Sequence, residues 1–277
     1  MHLVQTNAPI PDLRIVATGN LYAHEEHDSQ RSLPLMDNIR KAEFLLNPPI
    51  VTPVGDEDRG NEYVILDGAN RCFAFQQLGY PHILAQVVTY TGGNVTLDVW
   101  HHIVSRWKAD LFVQSVQNLN GIELHSGQDE TALAHVLLED GQSFAVRAFV
   151  KNLHERNAIL RQFVKIYQTQ AVLDRTASNQ FNDILPLYPE AIALVVFPNY
   201  APDDILAAAK QEAYLPPGIS RHIIQGRAVR VNFSVEILRD TNASLEAKNE
   251  ALKAWMQRKF ANRQVRYYAE STYQFDE

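Results

Sequence analysis

Apolar residues run along this chain in three patterns: short continuous blocks, helical stripes and hairpin pairs. Residues 10–22 read as a strand leading into a loop, and AHEEHDSQRS, from Ala23 to Ser32, is a polar loop. A helix is expected from Leu33 or Pro34 to about Leu46. It stops before Pro48 and Pro49, because proline lacks an N–H and disfavours helix in the residue before it. IVTPV (50–54) reads as a strand and GDEDRGN as a turn-rich loop. YVIL (63–66) is a fully apolar block suited to a buried sheet. DGANR then opens a helix that RCFAFQQLG continues, with Phe73, Phe75 and Leu78 near helical spacing and Gly79 as a stop signal. ILAQVVTY (83–90) is another strand.

This order of strands and helices predicts a compact α/β unit. Beyond it, LAHVLLE and QSFAVRAFV flank Asp140–Gly141, a strong hairpin signal. A helix is expected from His154 to about Gln170, then a buried strand, AIALVVF, and a helix, PDDILAAAKQEAY, with acidic residues at its positive end. LPPGISRH reads as a loop leading into an apolar strand, VRVNFSVEIL. After Asn242, Leu245, Leu252, Trp255, Met256 and Phe260 approximate one helical stripe, and QVRYYAES reads as a closing strand. The expected division falls near residue 112, giving a compact α/β domain over 1–112 and a mixed α/β domain over 113–277.

Composition narrows the function. With 46% hydrophobic and 21% charged residues the chain can bury a sizeable core. Its net charge of −7 opposes a nucleic-acid partner, which generally meets a basic face. Cys72 is the single cysteine, so neither an intrachain disulfide nor a cysteine-rich metal site is available, and a cytoplasmic location is the simplest reading. The N-terminus lacks the basic start and apolar stretch of a signal peptide, and no apolar run approaches the ~20 residues of a membrane span. The sequence contains no G-x-x-x-x-G-K-[ST], G-x-S-x-G or H-E-x-x-H pattern. It says nothing about oligomeric state.

Four short segments carry candidate chemistry. In DGANR, Asp67 ends an apolar strand, Gly68 lets a ligand approach the backbone, and Asn70 and Arg71 open a helix whose free N–H groups attract phosphate. The same residues also read as an ordinary helix cap with a solvated arginine. Glu25 or Glu26 in AHEEHD is a candidate general base, or a solvated pair; His24 and His27 alone make weak zinc ligands. Trp100 reads as core or as a pocket wall. Ser220, Arg221 and His222 present three consecutive donors suited to a carboxylate or phosphate.

Taken together, these segments resemble a known family. VILDGANRCFAFQQLGYPHILAQVV resembles the D-G-x-H-R motif of the ParB/sulfiredoxin-like fold, and within it the free L-serine kinases. The joint order of His24–Glu25, DGANR, Trp100 and Ser220–Arg221–His222 carries the resemblance over about residues 10–240. One departure is Asn70, where the family typically has histidine; asparagine can hydrogen-bond a phosphate but carries no charge. The resemblance implies transfer of a phosphoryl group from ATP or ADP, with Mg²⁺, to the hydroxyl of free L-serine. It implies Glu25 as base, Asp67 beside the transferred group, Gly68, Ala69, Asn70 and Arg71 cradling nucleotide phosphates, Trp100 walling the amino-acid pocket, and Ser220, Arg221 and His222 holding carboxylate or product phosphate. The alternatives are a ParB-like regulator or DNA-binding switch, which the acidic balance opposes, and an inactive metabolite sensor on the same fold.

Overall fold

The computed structural model describes residues 10–27, 29–55 and 61–268, the side chains of residues 29–31 excepted. The chain forms two units. One comprises residues up to Tyr22, His27–Thr96 and Ile224 onward; the other comprises Ala23–Glu26 and Leu97–Ile223. The expected division near residue 112 therefore differs from the structure twice. Residue 112 lies inside the helix Ala109–Gln117, where Phe112 is fully buried, and the C-terminal segment belongs with the N-terminal strands. Long-range pairing, which local pattern does not report, sets both differences.

In the first unit a five-stranded sheet runs in the order Asp12–Ala17, His82–Val87, Ile50–Pro53, Tyr63–Asp67, Leu21–Ala23. Asp12–Ala17 lies antiparallel to His82–Val87, with Ile15 opposite Leu84; Ile50–Pro53 is parallel to His82–Val87 and antiparallel to Tyr63–Asp67. Tyr63, Val64, Ile65 and Leu66 are all buried, as a continuous apolar block requires of a strand covered on both faces. The helix Ala69–Gln77 follows at once and ends at Gly79, whose φ of 69° is the left-handed conformation that closes helices.

The other helix of this region runs Ser29–Lys41, about a turn earlier than expected, with Pro34 inside it. It stops early because Phe44–Leu45 pairs with Phe233–Ser234, nearly 190 positions later. That pairing is also why the apolar stretch expected as a strand over 229–238 is mostly not one. After Phe233–Ser234 the chain enters the helix Val235–Arg239, whose buried Val235 and Leu238 stand at helical spacing. The C-terminal helix Leu245–Ala261 starts on Ser244, whose side chain accepts the Ala247 N–H. Within the expected stripe Leu252 is buried and Phe260 exposed. Asn249 bonds the Ile15 backbone in both directions, at 2.9 Å each, and ties this helix to the first strand. No strand forms over 264–268; the remainder of QVRYYAES, like much of GDEDRGN, lies outside the described residues.

The second unit holds an antiparallel six-stranded sheet in the order Val172–Thr176, His101–Ser105, Ala191–Val196, Ala134–Leu138, Ser143–Ala148, Ile122–Ser126. The Asp140–Gly141 hairpin is present, with Leu137 opposite Ser143 and Gly141 at φ 86°. The helix Leu153–Gln170 is capped by Asn152, which accepts the Glu155 N–H. Its buried Tyr167 packs edge-on with Phe163 of the same helix and with Phe112 and His102. Pro202–Lys210 is helical as expected, with Asp203 and Asp204 in its first turn. Ser220–Ile224, expected as a loop, is a strand.

Candidate active site

Two groups of site residues are built, one in each unit. In the second unit, Ala23–Glu26 is not a loose loop. The Leu215 N–H bonds the His24 carbonyl at 2.8 Å and the Glu26 N–H bonds the Leu215 carbonyl at 3.0 Å, a short parallel bridge. This fixes Glu25, whose side chain is only 14% exposed. Its Oε2 accepts the Gly218 N–H at 2.6 Å, and its Oε1 accepts both the Ser220 N–H at 2.8 Å and the Ser220 hydroxyl at 2.6 Å. Because the Ser220 hydrogen is spent on a carboxylate, its oxygen must accept from His24, whose Nε2 lies 2.7 Å away. That assigns the Nε2–H tautomer to a buried histidine. Gly218 is required in this arrangement. Its φ is 74°, and a Cβ there would collide with the Arg175 guanidinium.

Strand geometry divides the S-R-H segment. Successive side chains of a strand point to opposite faces. Ser220 and His222 turn toward His24, with the two imidazoles edge to face at 5.6 Å. Arg221 turns the other way, lies 4.3 Å over the Trp100 ring and pairs with Asp98 at 3.1 Å. The three donors expected to converge on one anion are thus separated: the Ser220 N–H and O–H serve Glu25, and Arg221 forms a Trp100–Asp98 group. Glu26 points away from Glu25's partners and pairs with Arg161 at 2.9 Å.

In the first unit, Gly68 caps the helix Ala69–Gln77 with φ 88°. A Cβ there would come within 2.9 Å of both Arg71 Nη2 and Pro49 Cβ, so glycine is needed on steric and conformational grounds. Arg71 donates to the Asn47 carbonyl and lies 3.8 Å from Asp67. Asn70 accepts from the Ser32 hydroxyl at 3.3 Å. Asp67 also pairs with Arg227 at 2.6 Å. Burial pushes the Asp67 carboxyl up, but Arg227 and Arg71, with hydrogen bonds from Arg227 and the Gly68 backbone, outweigh it and leave the group below the usual carboxylate range. Asp67 is therefore an anion held by two guanidinium groups. Cys72, buried beside it, has its thiol pushed up to about 12, mainly by burial, and stays protonated.

Sequence reasoning missed Arg227, Asp98 and Gly218. Only Gly218, in a proline–glycine turn, carried a local signal; the two ion-pair partners lie more than 120 positions from the residues they meet. Among the described residues no group of three or more His, Cys, Asp or Glu side chains is arranged to hold a metal ion, and no helix is long and apolar enough to cross a membrane.

No family model matches the chain. An ATP-dependent L-serine kinase from Staphylothermus marinus is 33% identical over 87 residues, and one from Desulfurococcus mucosus is 34% identical over 86. Each match covers 31% of this chain, and the chain spans about a third of the length of these curated relatives. Among solved structures, SbnI with a C-terminal truncation from Staphylococcus aureus matches 91% of this chain and 97% of its own, with a TM-score of 0.71 and 18% identity. A free serine kinase in complex with AMP matches 83% of this chain and 95% of its own, with a TM-score of 0.69 and 14% identity. The expected α/β fold is thus found in full, and the resemblance drawn from DGANR and its companion segments is to the group of proteins that the comparisons return: this chain has the fold of free serine kinase and of SbnI.

Proposed function

We propose that this chain is a nucleotide-dependent kinase of free L-serine, producing O-phospho-L-serine. The observation that carries the reading is the Glu25 carboxylate, positioned by three hydrogen bonds in the unit that also holds Trp100 and Arg221. The similarity to ATP-dependent L-serine kinases supports ATP as the donor, with ADP the alternative.

Phosphoryl transfer asks a protein chiefly for positioning and charge neutralisation. Glu25 takes the proton from the serine hydroxyl while the serine oxygen bonds to phosphorus and the bond from phosphorus to the leaving nucleotide oxygen breaks. Glu25 Oε1 already accepts two hydrogen bonds, but Oε2 accepts one and keeps a lone pair for that proton. Arg71 and the N–H groups opening the helix Ala69–Gln77 hold nucleotide phosphate. Asn70 adds a neutral hydrogen-bonding group. Trp100 walls the amino-acid pocket, and Arg221, stacked on it, faces the carboxylate. Mg²⁺ is commonly held by one or two carboxylates together with substrate phosphates, and Asp67 offers one such carboxylate; the ion supplies neutralisation of phosphate charge. A cytoplasmic location fits metabolites of this kind.

The test is incubation of purified protein with L-serine, Mg²⁺ and either ATP or ADP, with phosphoserine detected by mass spectrometry. Formation with one nucleotide supports the reading and names the donor. No phosphoserine with any nucleotide refutes it.

A further inference from the structure

Gln86 is buried on the strand His82–Val87, yet its amide is spent on an exposed segment of the same unit. Its Nε2 donates to the Gly226 carbonyl at 3.1 Å and its Oε1 accepts the Ala228 N–H at 2.8 Å. The residue between those two bonds is Arg227. A second tie, from the Arg230 N–H to Asn47 Oδ1 at 2.9 Å, fixes the segment a few residues on. So held, Arg227 places Nη1 2.6 Å from Asp67 Oδ2, on the carboxylate that Arg71 approaches at 3.8 Å. Two cations share one anion here, leaving a surplus positive charge next to a helix start. Arg227 remains 38% exposed and so accessible to a ligand.

We propose that Arg227 is a further cation for the phosphates of the bound nucleotide, and that Gln86 is the positioning residue that sets it there. The inference rests on the serine-kinase reading, which puts the nucleotide at DGANR, and adds a recognition group that reading does not contain. An exposed pair between Arg227 and Asp67 alone contributes little to stability. A buried amide satisfied at both ends by the backbone flanking one arginine gives that side chain a fixed direction, which recognition of a polyphosphate needs and a solvated charge does not. Removing Arg227 acts twice in one direction: a cation is lost, and Asp67 is left less neutralised to repel phosphate.

Calorimetric titration of the full chain with ATP and with ADP tests it. Arg227→Ala should weaken binding by roughly tenfold to a hundredfold, the usual worth of a charge-assisted phosphate contact, while the thermal midpoint hardly moves. Gln86→Met keeps the buried volume, leaves the exposed Gly226 carbonyl to water, and should weaken binding several-fold. In the Arg227→Ala background Gln86→Met should add nothing, since its only effect runs through that arginine. A Gln86→Met loss that persists in full there shows a merely structural glutamine and overturns the positioning role. Wild-type affinity in Arg227→Ala overturns the whole inference while leaving the serine-kinase reading intact. Absence of binding by the wild type overturns both. Arg227 is exposed, so its variants retain the fold; should Gln86→Met not fold, Arg227→Lys decides the matter, with affinity expected between wild type and Arg227→Ala, and equality of all three refuting the proposal.

Discussion

Replacing Glu25 by glutamine is usually a silent way to remove a base, but this structure makes it costly. The carboxylate accepts three hydrogen bonds, from the Gly218 N–H, the Ser220 N–H and the Ser220 hydroxyl. Glutamine has one oxygen. Turned to serve Ser220, it sets its NH₂ group against the Gly218 N–H, donor facing donor. One bond is lost, two lose their charge, and a poorly solvated N–H is left without a partner. With charge-assisted bonds at about 1.5–3 kcal/mol and a stranded donor costing about 1–3 kcal/mol, the net loss should be about 2–4 kcal/mol. For a chain of this size that corresponds to a fall in Tm of about 5–15 °C. Turnover should fall by a further factor of about 10²–10⁴, measured below the variant's unfolding range. Glu26→Gln is the control: Glu26 is 48% exposed and pairs with Arg161, a surface pair of about 0–1 kcal/mol, so Tm and turnover should stay close to wild type. Scanning calorimetry and phosphoserine formation read the two effects separately. An unchanged Tm in Glu25→Gln refutes the three-donor geometry, and unchanged turnover refutes the role as base.

Three further outcomes are expected. Arg71→Ala should weaken nucleotide binding by roughly tenfold or more through loss of a charge-assisted contact, read by calorimetry; unchanged affinity would return Arg71 to a structural tie between Asn47 and Asp67. Burial, then the charge of Arg175, push His102 down to about 3, so the unfolded chain takes a proton near pH 6.5 that the folded one refuses. Stability should therefore fall as pH drops from about 6.5 toward 3 by about 1.4 kcal/mol per pH unit from this group; in urea unfolding the gap between His102→Gln and wild type should narrow by that amount, and parallel pH profiles would refute it. The Tyr200 hydroxyl is buried with no hydrogen-bond partner among the described residues, so Tyr200→Phe should leave the unfolding midpoint unchanged or raise it; a loss above about 1 kcal/mol would reveal a partner.

What could be read in the sequence was whatever a short window determines. YVIL, the Asp-Gly hairpin and the helix Leu153–Gln170 follow from local period and turn chemistry, and each stands where the pattern put it. DGANR was legible because its strand, tight turn and helix start are contiguous. The failures share one cause. Phe44–Leu45 left its expected helix, and most of the 229–238 stretch its expected strand, because these segments meet each other, and nothing in either window reports a partner so distant. The same limit applies to the site. Glu25 was named by its resemblance to a family motif, but its hold by Gly218 and Ser220 spans more than 190 positions. Arg227 lies 160 positions from Asp67, in a segment that reads as ordinary polar surface.

The tie between Asn249 and Ile15 has a consequence for how the chain is made. The unit that contains the N-terminus cannot be finished early, because its first strand waits for a side chain near the C-terminus and Phe44–Leu45 waits for Phe233–Ser234. The other unit is made up of Ala23–Glu26 and Leu97–Ile223, all of it synthesised before Ile224. Since domains generally fold as units during synthesis, the middle of the chain is able to settle on the ribosome while the earliest residues remain incomplete. A chain stopped before Ile224 should then keep Leu97–Ile223 protease-resistant, with Ala23–Glu26 bound to it, while the strands of the first unit are cut.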